Sequence, residues 1–150
     1  MTDTTEPSGP PGLLVITHGG LAFELARALS RIVAPAAPRV RALSIGWDDD
    51  MGQARIAVQR ALEELGDDGG ILILTDMFGG TATNLALSFL RPGIEIVTGV
   101  NLPMLVKFAN LDPRVPLTEA AVILRDQGRR AITLATEYLP AHPEPTGRTG

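Results

Sequence analysis

Four short aliphatic runs punctuate the chain: Leu13 to Thr17, Val40 to Ile45, Ile71 to Thr75 and Ile94 to Thr98. Between them lie longer stretches in which apolar residues recur every three or four positions. The short β-branched or aliphatic runs predict strands, and the longer period predicts helices. The third run is too apolar to be half exposed, so it belongs in the centre of a sheet covered on both faces. The first intervening stretch predicts a helix from about Gly20 to Val33, with Leu21, Leu25, Ala28, Leu29 and Ile32 on one face, stopped by Pro35 and Pro38. A second helix begins where Asp48-Asp49-Asp50 offers a cap and negative charge, and Gly66 closes it after Leu65. A third spans about Thr81 to Leu90 before Pro92-Gly93, and a short fourth runs from about Pro103 to Ala109 with proline in its first turn. The last segment, Leu117 to Leu139, is helical by period as far as Gly128. Ala131 to Ala135 then fits either a continued helix or a short extra strand.

This alternation predicts an α/β fold, a doubly wound central parallel sheet flanked by helices. Apolar residues make up 45% of the chain, with one Trp, one Tyr and four Phe, so the core must be aliphatic. The 150 residues suffice for one domain with a proper core, whereas two cores would leave each half marginal. Segments 1–12 and 140–150 are poor in apolar residues and rich in Pro, Gly, Thr and Ser, which predicts tails on either side of one domain over 13–139.

A formal charge of −4 repels phosphate polyanions at long range and argues against a nucleic-acid partner. The absence of Cys removes disulfides, thiolate nucleophiles and Cys-bearing zinc sites together. An acidic, Pro-rich start lacks the basic and apolar regions of a signal peptide, and no apolar run can span a bilayer. The expectation is a soluble, cytoplasmic protein without direct membrane insertion.

The polar residues fall where a parallel sheet places chemistry, at the carboxyl ends of its strands. Strand one runs into Thr17-His18-Gly19-Gly20, strand two into Gly46-Trp47-Asp48, strand three into Asp76-Met77-Phe78-Gly79-Gly80 and strand four into Gly99-Val100-Asn101. A neutral imidazole is a nucleophile near neutral pH, and a carboxylate on one ring nitrogen fixes the tautomer that leaves the other free. His18 with Asp76 supplies that pair; alone, His18 would be read as a loop contact or helix cap. The run Gly79, Gly80, Thr81, Ala82, Thr83, Asn84 places amides and hydroxyls where an anion can sit at a helix start, although taken alone it is better read as a flexible loop with a Thr cap. Thr17, Trp47, Phe78 and Asn101 are candidates for the rim, with Asn101 also suited to a turn and Trp47 to a core position. His142 has no assigned role. The three aspartates are read as a solvated cap rather than a metal site, and no metal or cofactor is implied. Neither a P-loop nor a G-x-G-x-x-G opening is present, which disfavours bound nucleotide.

Taken together, Thr17-His18-Gly19-Gly20-Leu21-Ala22, Thr75-Asp76-Met77-Phe78-Gly79-Gly80-Thr81-Ala82-Thr83-Asn84 and Gly99-Val100-Asn101-Leu102-Pro103-Met104-Leu105 resemble the mannose-type enzyme IIA family of the bacterial phosphotransferase system, over about residues 13 to 135. The resemblance implies a phosphorelay in which HPr phosphorylates His18 and an enzyme IIB receives the group. It implies a sheet of order 2-1-3-4, which brings His18 and Asp76 together, and hydrogen bonds from Thr81 to Asn84 to the phosphoryl group. It also implies a homodimer with an antiparallel edge strand exchanged between subunits, a role for 131–135. Ala82 departs from the Pro common in relatives, loosening the loop without removing a polar group.

Three other readings stand beside this one. A phosphotransfer subunit serving dihydroxyacetone kinase shares the fold but fits the Asp76-to-Gly80 and Asn101-to-Pro103 patterns less well. A regulator could dock according to its phosphorylation state. A flavodoxin-like module would hold a ligand phosphate on the 79–84 loop.

Overall fold

A computed structural model of the chain describes residues 9–33 and 39–139. Pro35, Pro38, residues 1–8 of the expected N-terminal tail and the whole expected C-terminal tail, 140–150, which includes His142, lie outside the described residues. The chain alternates strand and helix: β1 Gly12–His18, α1 Leu21–Ile32, β2 Val40–Ile45, α2 Met51–Leu65, β3 Ile71–Thr75, α3 Thr81–Leu87, β4 Ile94–Thr98, α4 Leu102–Ala109 and α5 Leu117–Arg130. A single 3₁₀ turn, Ala135–Glu137, follows. The strands form one parallel sheet in the order β2-β1-β3-β4, with Ile16 beside both Leu43 and Thr75 in register.

Alternate residues of the two central strands feed two cores. Leu14, Ile16, Ile71 and Ile73 pack with Val58, Leu62 and Leu65 of α2 and Leu85 and Ala86 of α3. Leu13, Val15, Leu72 and Leu74 pack on the opposite side with Leu29 of α1, Met104, Leu105 and Phe108 of α4, and Leu124 of α5. Because every side chain of β3 is buried, the fully apolar ILIL run is satisfied only in this central position. Burying one Leu or Ile contributes about 1.5–3 kcal/mol, so the two layers hold the sheet rigid beneath its loops.

Four expectations need correction. On α1, Leu29 is buried and Leu25 half-buried, but Leu21 and Ile32 are exposed, while Ala22 is buried. At the two ends of the helix the core is met by Ala22 and Val33 instead, while Leu21 and Ile32 lie to the side of that contact. Helix α3 stops at Leu87 because Ser88, Phe89 and Leu90 tighten into bonds to the third preceding carbonyl, those of Leu85, Ala86 and Leu87. The N-terminal tail ends short of Gly12, which is buried and begins β1, with Pro11 buried beside it. Finally, Ala131 to Ala135 neither continues α5 nor pairs as a strand within this chain: α5 ends at Arg130, and Ile132 and Leu134 stand exposed.

Candidate functional site

The connection after β1 leaves toward one face of the sheet through α1, and that after β3 leaves toward the other through α3. A crevice therefore opens between the carboxyl ends of β1 and β3. His18, the last residue of β1, and Asp76, the first after β3, meet there. Asp76 Oδ2 lies 2.8 Å from His18 Nδ1 and accepts the His18 backbone N–H at 3.0 Å, while Oδ1 accepts the Met77 N–H at 3.0 Å. Partial burial is the largest influence on Asp76 and works to raise its pKa. The hydrogen bonds from the His18 amide and ring and the ring's charge together outweigh it, so the carboxyl titrates below its ordinary value. An ionised carboxylate only accepts, so in the neutral imidazole the proton sits on Nδ1 and the lone pair on Nε2.

The ring is enclosed on two further sides. Trp47, from the β2–α2 loop, stacks on it with ring centroids 5.2 Å apart and planes inclined by 22°. Gly80 lies against its far edge: a Cβ there would stand 2.7 Å from Cε1 and 3.4 Å from Nε2. Nε2 thus faces the loop that opens α3. The His18 side chain is left only 15% exposed, although Trp47 itself is 82% exposed. The turn beyond His18 needs a left-handed residue, supplied by Gly19 at φ 55°. Its carbonyl accepts from the Ser44 hydroxyl and its N–H donates to the Ile45 carbonyl, which ties the turn to β2.

This geometry places an oriented nucleophilic nitrogen beside the amides of a helix start. Residues 12–127 match the family model described as the PTS system fructose IIA component, EIIA-man. The chain belongs to the EIIA-man family. A fructose-specific EIIA component of Bacillus subtilis (strain 168) is 29% identical over 82 residues, 53% of this chain and 56% of that protein. The mannose/sorbose-specific IIA subunit of Enterococcus faecalis has a TM-score of 0.76 at 28% identity, covering 83% of this chain and 94% of that one. The IIA protein associated with the fucose utilization operon of Streptococcus pneumoniae has a TM-score of 0.74 at 25% identity, covering 89% and 98%. The resemblance read from the sequence motifs, and the 2-1-3-4 sheet it implied, are therefore borne out.

In this EIIA-man chain the loop after β3 divides its polar residues between two tasks. Asn84 is the first amide of α3 to bond back, to the Gly80 carbonyl at 3.0 Å. The amides of Thr81, Ala82 and Thr83 precede the helical ladder and lack acceptors within it. Thr81 and Asn84 have exposed side chains. The Thr83 hydroxyl does not face an incoming anion: it is buried and donates to the Met77 carbonyl at 2.6 Å. With its one proton so used, it accepts from the Thr75 hydroxyl, 2.6 Å away, and pins the loop to β3.

Two rim candidates are engaged in internal hydrogen bonds. Thr17 is fully buried, its hydroxyl accepting the Ala22 N–H at 2.7 Å at the start of α1. Asn101 accepts the Met104 N–H at 3.2 Å as the cap of α4 and donates to the Gly128 carbonyl of α5 at 3.1 Å, the turn reading of that residue. Phe78, 77% exposed, does stand at the surface, and Leu21, Trp47, Met51 and Met77 are likewise exposed from the loops and helix starts of this sheet edge. Of the aspartate run, Asp50 caps α2 through the Gly52 N–H at 2.8 Å, and Asp49 accepts the Gly46 N–H at 2.6 Å. Among the described residues, no group of three or more His, Cys, Asp or Glu could hold a metal ion, and no helix is long and apolar enough to cross a membrane.

Two features escaped the sequence reading. Ser44 was passed over, although a lone hydroxyl near the end of a mainly aliphatic strand marks a loop anchor. The steric role of Gly80 has no local signature, because it arises from a residue sixty-two positions earlier in the chain.

Proposed function

We propose that this chain is a phosphoryl carrier: His18 Nε2 accepts a phosphoryl group from HPr and passes it to an enzyme IIB, in sugar uptake or a regulatory relay. The observation that carries this reading is the Asp76 Oδ2 contact with Nδ1 at 2.8 Å, which leaves Nε2 with its lone pair facing the α3 loop. The Nε2 pair attacks phosphorus as the P–N bond to the donor histidine breaks and its electrons return to the donor nitrogen. Positive charge gathered on the His18 ring is balanced by Asp76. Charge on the transferring oxygens is met by backbone amides from Gly79 to Thr83 and by the Thr81 hydroxyl and Asn84 amide side chains. The exposed apolar residues Phe78 and Met77 give a docking protein a contact surface around the histidine.

The relatives' names refer to fructose, mannose/sorbose and fucose, so no single sugar is favoured. Residues from Pro11 to about 139 act as one cytoplasmic phosphotransferase domain, and a homodimer exchanges residues 131–135 between subunits. Incubation with phosphoenolpyruvate, enzyme I and HPr is expected to deposit acid-labile, base-stable phosphate. Label of equal extent on His18→Ala overturns the reading. Which acceptor then drains the group separates enzyme IIB from dihydroxyacetone kinase.

A further inference from the structure

We propose that Trp47 is a positioning residue for phosphoryl transfer, holding the His18 imidazole in the orientation from which Nε2 attacks. The inference rests on the carrier reading above. Two of the ring's constraints lie along its edges: Asp76 at Nδ1 and Gly80 at the Cε1–Nε2 edge. Neither covers a face, and a ring held only at its edges can still tilt about the bond to its Cβ. The nearly parallel indole at 5.2 Å supplies the missing constraint, since tilting the imidazole drives it into a flat, bulky neighbour.

The exposure figures fit this role. An indole 82% exposed contributes little to the core, yet it helps leave the histidine beneath it only 15% exposed. The loop that carries Trp47 is itself anchored, by Asp49 on the Gly46 N–H and by Asp50 at the start of α2. The indole is therefore held on both sides of its sequence position. The same stacking serves the chemistry, because the ring gains positive charge as Nε2 donates its pair to phosphorus, and a π face attracts a cation. The Nδ1 proton stays on the ring, bonded to Asp76, throughout the exchange of one P–N bond for another.

Transfer from phosphorylated HPr is the test, measured with the wild type, Trp47→Leu and Trp47→Phe, each first checked for native circular dichroism. Trp47→Leu is expected to lower kcat about 5- to 10-fold with KM for phospho-HPr little changed, and Trp47→Phe to recover most of the loss. Because Trp47 is the only tryptophan, its fluorescence should also change as label accumulates, and should not change in His18→Ala. An unaltered kcat in Trp47→Leu, or a rise in KM alone, overturns the positioning role; the latter would make Trp47 a docking contact. Fluorescence indifferent to phosphorylation overturns it too. Failure of the wild type to take label overturns the carrier reading and this proposal with it, whereas normal wild-type labelling with one of the other results removes Trp47 alone.

Discussion

Asp76 holds His18 through a single oxygen at two points: Oδ2 accepts the backbone N–H at 3.0 Å and lies 2.8 Å from Nδ1 of the ring. The first contact fixes where the chain leaves β1, and the second fixes how the side chain is turned. Strand end and imidazole are thus referred to one atom on the neighbouring strand's loop, across 58 residues of sequence.

Replacing Asp76 with Asn keeps the shape of this clamp and removes its charge. An amide oxygen can still accept from the His18 N–H, so the variant should fold, at a cost of about 1–2 kcal/mol for weakened hydrogen bonds. The ring loses the charge that balances its developing positive charge, and transfer should slow on the order of 100-fold. Rapid-quench transfer from phospho-HPr measures this, and a rate equal to wild type would remove Asp76 from the mechanism.

Gly80→Ala tests the opposite edge of the ring. The backbone at Gly80, φ −81° and ψ 170°, suits any residue, so the substitution carries no backbone strain. Its new methyl would nevertheless stand 2.7 Å from His18 Cε1, and the ring must shift. We expect a stability loss of about 1–3 kcal/mol from overpacking. Transfer should fall about 10-fold or more, as expected when a reacting atom is displaced. Chemical denaturation and transfer kinetics on the same preparation check both; a full rate would show that the loop yields instead of the histidine.

The pH dependence of stability follows from the lowered pKa of Asp76. A carboxyl that titrates lower in the folded than in the unfolded chain adds stability above its unfolded value, near 4, and this is lost as pH falls through the folded value. The stability difference between wild type and Asp76→Asn should therefore shrink as pH falls from about 5 to about 3. Asp112 is held lower still, to about 2, by hydrogen bonds from Arg114, but it is solvent-exposed and common to both proteins, so it cancels. Urea unfolding across this range tests the point, and a gap that widens toward acid would contradict the assigned direction.

The strands were legible as compact, mainly aliphatic runs, and the central ones are apolar enough to demand cover on both faces; Val40–Ile45, Ile71–Thr75 and Ile94–Thr98 match residue for residue. The meeting of His18 and Asp76 was legible because strand ends sort onto one edge before any side chain is placed. Helical period fared worse at Leu21 and Ile32, since it marks a face without saying which of its positions neighbouring elements cover. Thr17, Thr83 and Asn101 could not be assigned from the sequence, for one shared reason. A hydroxyl or amide engaged by the chain's own backbone and one that awaits a ligand occupy the same loops, and only the identity of the hydrogen-bond partner separates them.

The chain beyond α5 leads to the remaining prediction. Among the described residues β4 has a strand partner on one side only, and its open edge borders a groove of about 700 Å³ lined by Ile96, Thr98, Val122, Arg125 and Ile132. Nearby, Ile132 and Leu134 stand 81% and 63% exposed with alternating polarity across Thr133, a pattern suited to an added strand with one apolar face. If the exchanged strand of the proposed homodimer comes from this segment, Ile132→Asp places a charge where the partner's apolar surface should cover it. Such burial of an unpaired carboxylate is costly enough, several kcal/mol, to shift a dimer toward monomer at micromolar concentration. Sedimentation equilibrium of wild type and variant measures the shift. A wild-type monomer would dismiss the exchange outright, and a dimer indifferent to Ile132→Asp would move the interface to another face.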